Sequence, residues 1–282
     1  MIDVLVSGSS GFIGKALVKK LRDQGLDVFE LNRTFGEVEL PNTWSKLPKV
    51  QALVHLANRT FVPDSWKDTY SFINTNVLGT QNALDFALKN EAKFIYISAY
   101  LYGKPSVLPI SESHPILPNN PYALSKSLAE QLCEFYSKFK GMNVSILRLF
   151  NVYGPGQKEN FLIPSIIEQV KKKTNVAVLD LKPKRDYVYL DDVLDSIQLS
   201  LSSKDGLNIY NIGSGISYSV GEVITIIQEI AGTNLPVLSG FQERKEEILD
   251  VVADITKAKR DLNWSPKWSF QSGIEQILNS SY

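Results

Sequence analysis

Tyr122 and Lys126 stand four residues apart in Pro121-Tyr122-Ala123-Leu124-Ser125-Lys126, at the start of a helical pattern that runs to about Lys140. On a helix that spacing puts both side chains on one face. An ammonium beside a phenol favours the phenolate, which predicts a lowered phenol pKa and a usable acid/base near neutral pH. Pro121 suits the first helical turn, where its missing N–H would be unpaired anyway. Alone, such a pair is common on amphipathic helices, where it reflects packing and a snorkelling lysine. Its meaning depends on what the rest of the chain brings near it.

The positioning elements begin upstream. Asp3-Val4-Leu5-Val6-Ser7 has the length and apolar character of a strand. Gly8-Ser9-Ser10-Gly11-Phe12-Ile13-Gly14 and then a helical pattern through Leu21 follow it. Strand, glycine-rich turn and helix form the context of a dinucleotide-phosphate site, with the phosphates at the positive end of the helix. The spacing is Gly-x2-Gly-x2-Gly. A second strand over Asp27–Leu31 ends in Asn32-Arg33, where an acidic residue would hold an adenosine ribose 2′-hydroxyl. Without that carboxylate a 2′-phosphate is not repelled, and the guanidinium could pair with it, which leans towards NADP over NAD.

Glu37-Val38-Glu39-Leu40 reads as a short third strand, and Ala52 to Ala57 as a buried parallel strand containing His55, a core histidine. A long helical pattern from about Thr69 to Lys89 carries Asn76. The next strand, Lys93 to Ser98, ends on a hydroxyl. In a doubly wound sheet the carboxyl ends of strands face the ligand crevice, so Ser98 is placed to share a substrate oxygen with Tyr122. Asn143 to Phe150 reads as a sixth strand. Strands alternating with helices argue for an α/β fold with a parallel sheet.

Composition narrows the partners. Lys+Arg and Asp+Glu are 30 each among 282 residues, which removes the electrostatic case for nucleic acid or a membrane surface. The single cysteine, Cys133, excludes an intrachain disulfide, fits a reducing compartment and reads as a helix-packing residue. With no charged leader and no long apolar run, the cytoplasm is the expected location. No His, Cys, Asp and Glu have metal-ligand spacing, and no metal is expected. Asp191 and Asp192 precede a helical pattern and suit its N-terminus, and Ser219 with Glu222 reads as a capping box.

Taken together, Gly8-x2-Gly11-x2-Gly14, Ser98, Tyr122-x3-Lys126, Arg148 to Pro155 and Arg185 to Asp192 resemble the extended short-chain dehydrogenase/reductases. More narrowly they resemble the NAD-dependent epimerase/dehydratase family acting on nucleotide sugars. The resemblance runs from Val4 to about Pro266. It implies a Rossmann-type doubly wound parallel sheet over residues 1–150. Residues 151–282 would form mainly a smaller α/β substrate lobe, with some return to the first sheet.

It also implies Tyr122 as acid/base, Lys126 on the nicotinamide ribose, and Ser98 on the reacting oxygen. The cofactor side would include Gly8, Ser10, Gly11, Phe12, Ile13, Gly14, Asn32, Arg33, Leu56, Ala57, Asn76 and Phe150, with Glu39 and Leu40 near the adenine. Asn151, Arg185 and Arg244 would bind the substrate, the two arginines through its diphosphate. A homodimer formed through helices that include the one bearing Tyr122 is a further implication.

One departure decides against an activity. Dehydratases of the family carry Asp-Glu directly after the Ser/Thr, and here Ala99-Tyr100 supply no carboxylate. Two activities remain: epimerisation at a sugar carbon, C4 in the first instance, and NADPH-dependent reduction of a nucleotide-linked 4-keto-6-deoxyhexose. Asn32-Arg33 favours the reductase, and the Arg185 to Asp192 and Val252-Ala253-Asp254 stretches favour the epimerase. Outside enzymes, the same fold could serve as a non-catalytic dinucleotide sensor.

Overall fold

The computed structural model describes residues 1–240 and 248–279. In the first half, β1 (Ile2–Ser7), β2 (Val28–Leu31), β3 (Val50–His55), β4 (Lys93–Ala99) and β5 (Val144–Leu149) follow one another with helices between them. The second half adds β6 (Asn151–Tyr153), β7 (Val176–Val178), β8 (Lys184–Tyr189), β9 (Leu207–Ile212), β10 (Ser217–Ser219) and β11 (Val237–Ser239). The main sheet has the order β2-β1-β3-β4-β5-β9 and is parallel throughout. The chain therefore steps from β1 to one side for β2 and to the other for β3. That reversal opens a crevice at the carboxyl ends of the strands. β10, β8 and β6 form a second sheet, and β11 pairs with β7.

Both faces of the main sheet are covered, which is why its strands read as continuous apolar runs. One face packs Leu17, Val18 and Leu21 with Val193, Leu194 and Ile197 from the helices Phe12–Asp23 and Leu190–Ser200. The other packs Ala83, Leu84 and Ala87 with Ala129, Cys133 and Tyr136 from Gly79–Lys89 and Pro121–Lys140. Cys133 is buried there as a packing residue. A third cluster joins β6 and β8 to the helices Leu162–Lys171, Val220–Ala231 and Phe270–Asn279. Among the described residues no helix is long and apolar enough to cross a membrane.

The strand expected over Glu37–Leu40 does not form: the chain turns into the short helix Pro41–Trp44. Thr43 Oγ1 donates to the Glu37 carbonyl, while Trp44 Nε1 and Asn82 Nδ2 both donate to that of Val38, so side chains take the carbonyls a ladder would have used. The helical run from Thr69 to Lys89 is continuous but widens to a π-helical turn over Asn74–Leu78. Asp192 lies in the first turn of its helix and accepts from the backbone N–H groups of Lys267 and Trp268, tying down the C-terminal segment. Ser219 and Glu222 form the expected capping box.

Candidate active site

The glycine-rich turn is shaped by close approach. Gly8 has φ +70°, and a Cβ there would lie 2.7 Å from Ala57 N and 2.9 Å from the Leu56 carbonyl carbon. A Cβ on Gly14 would meet Gly8 O at 2.3 Å. Larger residues would push the turn off β3 and the helix off the turn. The first intrahelical bond is Lys15 N–H to Gly11 O at 3.0 Å, and no side chain caps the helix. The N–H groups of Phe12, Ile13 and Gly14 therefore precede the helical ladder at its positive end, an arrangement that fits a pyrophosphate. Ser10 and Gly11 are exposed there.

The helix Pro121–Lys140 starts where its sequence demands. Asn120 Oδ1 accepts from Ala123 N–H at 2.8 Å, Pro121 occupies the first turn, and Gly141 at φ 71° ends it. Buried Lys126 donates from Nζ to the Ile97 carbonyl at 2.5 Å and lies 4.1 Å from the Tyr96 ring centroid. That bond brings it beside Ser98, the next residue of β4. Ser98 is buried, and among the described residues its Oγ has no hydrogen-bond partner. Tyr122, one turn before Lys126, packs edge-on against Phe72 at 6.4 Å. Lys126 thus meets the end of β4 at the residue before Ser98, and Tyr122 lies one turn earlier on the same helix.

Their protonation differs from the expectation drawn from spacing. The Tyr122 phenol is pushed up, not down, because burial withdraws it from water and the Tyr100 phenol adds to the effect. Burial also pulls Lys126 down to about 7, against which the Glu130 charge holds it up. The Lys126 ammonium is engaged by the Ile97 carbonyl.

Beneath Lys126 lies a buried network that spacing alone did not reveal. Arg148 donates from Nε to both Glu130 oxygens at 3.1 Å and from Nη2 to Oε2 at 2.6 Å. Its Nη1 reaches the Tyr102 hydroxyl at 2.9 Å and the Glu112 carbonyl at 3.2 Å. Tyr102 donates to Asn211 Oδ1, and Asn211 N–H donates to Glu112 Oε1. The network locks the helix Pro121–Lys140 to β5, β9 and the loop after β4. The available signal was Glu130, four residues after Lys126 and eight after Tyr122 on the same helical face.

The remaining expected residues fall in three groups. Leu56 and Ala57 lie against Gly8, and Asn32 turns the chain by accepting from Thr34. Arg33 is exposed, 3.7 Å from Glu37. Glu39 receives Thr75 Oγ1 at 3.5 Å, its Oε2 is buried without a partner among the described residues, and Leu40 is exposed. Asn76 sits in the π-helical turn with its amide occupied: it accepts from Arg59 N–H and donates to Arg59 O and to Ser125 Oγ. Ser125 Oγ in turn donates to Tyr122 O at 2.7 Å, so Asn76 braces the first turn of the Tyr122 helix.

Phe150 is buried and stacked on Tyr100. Asn151 donates to Asp186 O, and Arg185 Nη1 donates to the carbonyls of Lys184 and Ile248. Both stand in the β10-β8-β6 sheet. Arg244 lies outside the described residues. His55 is a core residue, as expected, with Nδ1 2.7 Å from Ser7 Oγ and its ring stacked on Phe94 and Tyr96.

Comparison with known proteins gives the family. The profile of the NAD dependent epimerase/dehydratase family matches residues 4–213. The GDP-6-deoxy-D-mannose reductase of Pseudomonas aeruginosa is 31% identical over 98% of this chain and 96% of its own. The UDP-glucose 4-epimerase of Lactobacillus helveticus is 30% identical over 99% of this chain and 96% of its own. The structure of RMD from Pseudomonas aeruginosa complexed with NADPH superposes with a TM-score of 0.91 at 29% identity, covering 99% of this chain and 98% of that one. The chain belongs to the NAD-dependent epimerase/dehydratase family, built on a Rossmann-type doubly wound sheet.

Proposed function

We propose that the protein is an NAD(P)-dependent nucleotide-sugar epimerase that moves hydride at a sugar carbon, C4 in the first instance. The observation that carries the proposal is the meeting of Lys126 with β4 at Ile97, one helical turn from Tyr122 and beside the Ser98 hydroxyl, which has no partner among the described residues. Ser98 holds the sugar oxygen, and Tyr122 takes its proton as hydride leaves the carbon, or returns it as hydride comes back. The bound nicotinamide supplies the hydride acceptor and donor. The N–H groups of Phe12 to Gly14 hold the pyrophosphate, Glu39 the adenine side, and Lys126 the nicotinamide ribose. Asn151 lies on the substrate side, and Arg185 and Arg244 hold the substrate's diphosphate. Ala99-Tyr100 offer no carboxylate for eliminating water, so 4,6-dehydration is not the activity.

A second reading is supported by one observation. Arg33 stands exposed after β2 with no carboxylate at the preceding position. That suits NADPH-dependent reduction of a nucleotide-linked 4-keto-6-deoxyhexose. Incubation with UDP-, GDP- and dTDP-linked hexoses and their 4-keto derivatives separates the two readings. Epimerisation converts the sugar with no net change in nicotinamide absorbance, whereas reduction consumes NADPH in step with product. Dinucleotide binding without turnover of any of them would leave only a sensor.

We also place the protein in the cytoplasm, as its cysteine usage suggests, and propose that it is a homodimer. Leu124, Phe135 and Phe139 are exposed along one face of the helix Pro121–Lys140, with Trp66 and Tyr70 exposed on the neighbouring helices. A second copy covering that face would hide them. Sedimentation of Phe139→Glu as a monomer beside a dimeric wild type would support this assembly.

A further inference from the structure

Tyr100 follows the last residue of β4, where the chain leaves the strand but still donates its N–H to Leu149 O at 3.1 Å. Its ring stacks on buried Phe150, with centroids 5.4 Å apart and planes 29° apart. Phe150 is itself fixed by its N–H bond to Ile212 O. Tyr100 and Phe150 pack with the core on the sheet face opposite the helix Pro121–Lys140. Tyr122 and Lys126 approach from one side of the carboxyl edge, and Tyr100 rises on the other.

Two neighbours locate the residue. Tyr100 follows Ser98 by two residues where β4 ends, and the Phe150 ring it stacks on directly precedes Asn151 of β6; its phenol also adds to the effect of burial in raising the pKa of Tyr122 and of Tyr187. Tyr187 is in β8 and pairs in register with Asn151 of β6. Tyr100 therefore stands between the acid/base and the strands bearing Asn151 and Arg185. If those strands hold the diphosphate and Tyr122 meets the reacting carbon, the hexose must span the space that Tyr100 borders. The residue is half-buried, with a rigidly stacked ring and a donor at its tip. Few side chains offer a sugar both a flat apolar wall and a hydrogen bond at so low a cost in rotamer freedom.

We propose that Tyr100 is a specificity-determining residue that holds the hexose through a hydrogen bond from its hydroxyl to a sugar oxygen beside the reacting carbon. The proposal rests on the nucleotide-sugar reading above. Tyr100→Phe keeps the stack on Phe150 and removes only the hydroxyl. The test is calorimetric titration of wild type and Tyr100→Phe, both loaded with dinucleotide. The titrants are UDP-, GDP- and dTDP-linked hexoses, each beside its bare nucleoside diphosphate, and kcat/KM is measured on the hexose that is turned over.

The expected result is a loss of about 3- to 10-fold in the tighter binding that the hexose confers, with kcat/KM falling at least as far. Affinities for the nucleoside diphosphate and the dinucleotide should stay within about twofold, because neither reaches the hydroxyl. The proposal is overturned if the hexose increment and kcat/KM are unchanged. It is equally overturned if nucleoside diphosphate binding weakens as much as hexose binding, since Tyr100 would then only shape the lobe. A wild type that neither binds nor converts any nucleotide hexose overturns the functional reading and this proposal together. That failure shows in the wild-type arm, apart from the variant.

Discussion

Replacing Glu130 by glutamine would remove one charge from the most buried ion pair described. Glu130 and Arg148 expose 3% and 4% of their side chains, and three hydrogen bonds of 2.6 to 3.1 Å join them. Arg148 is held firmly in its charged form: burial opposes the charge, but the bonds and the charge of Glu130 outweigh it. In Glu130→Gln that guanidinium keeps only neutral partners, the Tyr102 hydroxyl and the Glu112 carbonyl. Breaking a buried pair in this way costs about 3–5 kcal/mol. For a chain of this size that is a fall in Tm of roughly 10 °C. Thermal and urea unfolding followed by circular dichroism would measure it.

A second consequence separates this account from simple loss of packing. The Glu130 charge supports Lys126 against burial, which has already brought its pKa to about 7. A lysine is charged below its pKa, so removing Glu130 lowers the pH above which the ammonium is lost. The alkaline limb of the dinucleotide-binding profile should move to lower pH in Glu130→Gln. Replacing both partners with apolar residues, Glu130→Leu with Arg148→Met, should be less destabilising than Glu130→Gln, because no uncompensated charge remains. A Tm within about 2 °C of wild type, with an unmoved pH profile, would refute the reasoning.

Other perturbations test separate parts of the account. His55 is neutral in the fold, with burial and then the Lys126 charge lowering its pKa from 6.5 to about 3. The unfolded chain binds the extra proton between those values, so stability is lost as pH falls from about 6.5 towards 3. At pH 5 the loss from this residue is about 2 kcal/mol, and acid unfolding of His55→Phe should lack that contribution. Gly8→Ala must place a side chain at φ +70° and 2.7 Å from Ala57 N. It should weaken dinucleotide binding by at least about tenfold while the strands persist, as calorimetry and circular dichroism would report. Arg33→Ala should weaken NADP binding by about tenfold and leave NAD binding unchanged, and equal effects on both would remove the 2′-phosphate argument.

The parts of the fold legible in the sequence were those set by local rules. The apolar run to Ser7, the glycine turn and the helix after it needed only short-range pattern, and Pro121 marked the start of the Tyr122 helix. The segment Glu37–Leu40 misled because its alternation suits a strand, whereas side chains of Thr43, Trp44 and Asn82 claim its carbonyls. Spacing put Tyr122 and Lys126 on one face but could not give the degree of burial. Burial decides both pKa shifts and reverses the one expected for the phenol. The Glu130, Arg148, Tyr102, Asn211 and Glu112 network joins residues up to 109 positions apart, a pairing no local pattern encodes. The same holds for the link from Asn76 through Ser125 to Tyr122.

The central claim is that the Tyr122 phenol exchanges the proton of a sugar hydroxyl that Ser98 holds. Its most direct test is single-turnover hydride transfer in Tyr122→Phe at saturating dinucleotide and nucleotide hexose. The account predicts a rate lower by about two decades or more, with dinucleotide affinity preserved. Hydride transfer at close to the wild-type rate in that variant would contradict it.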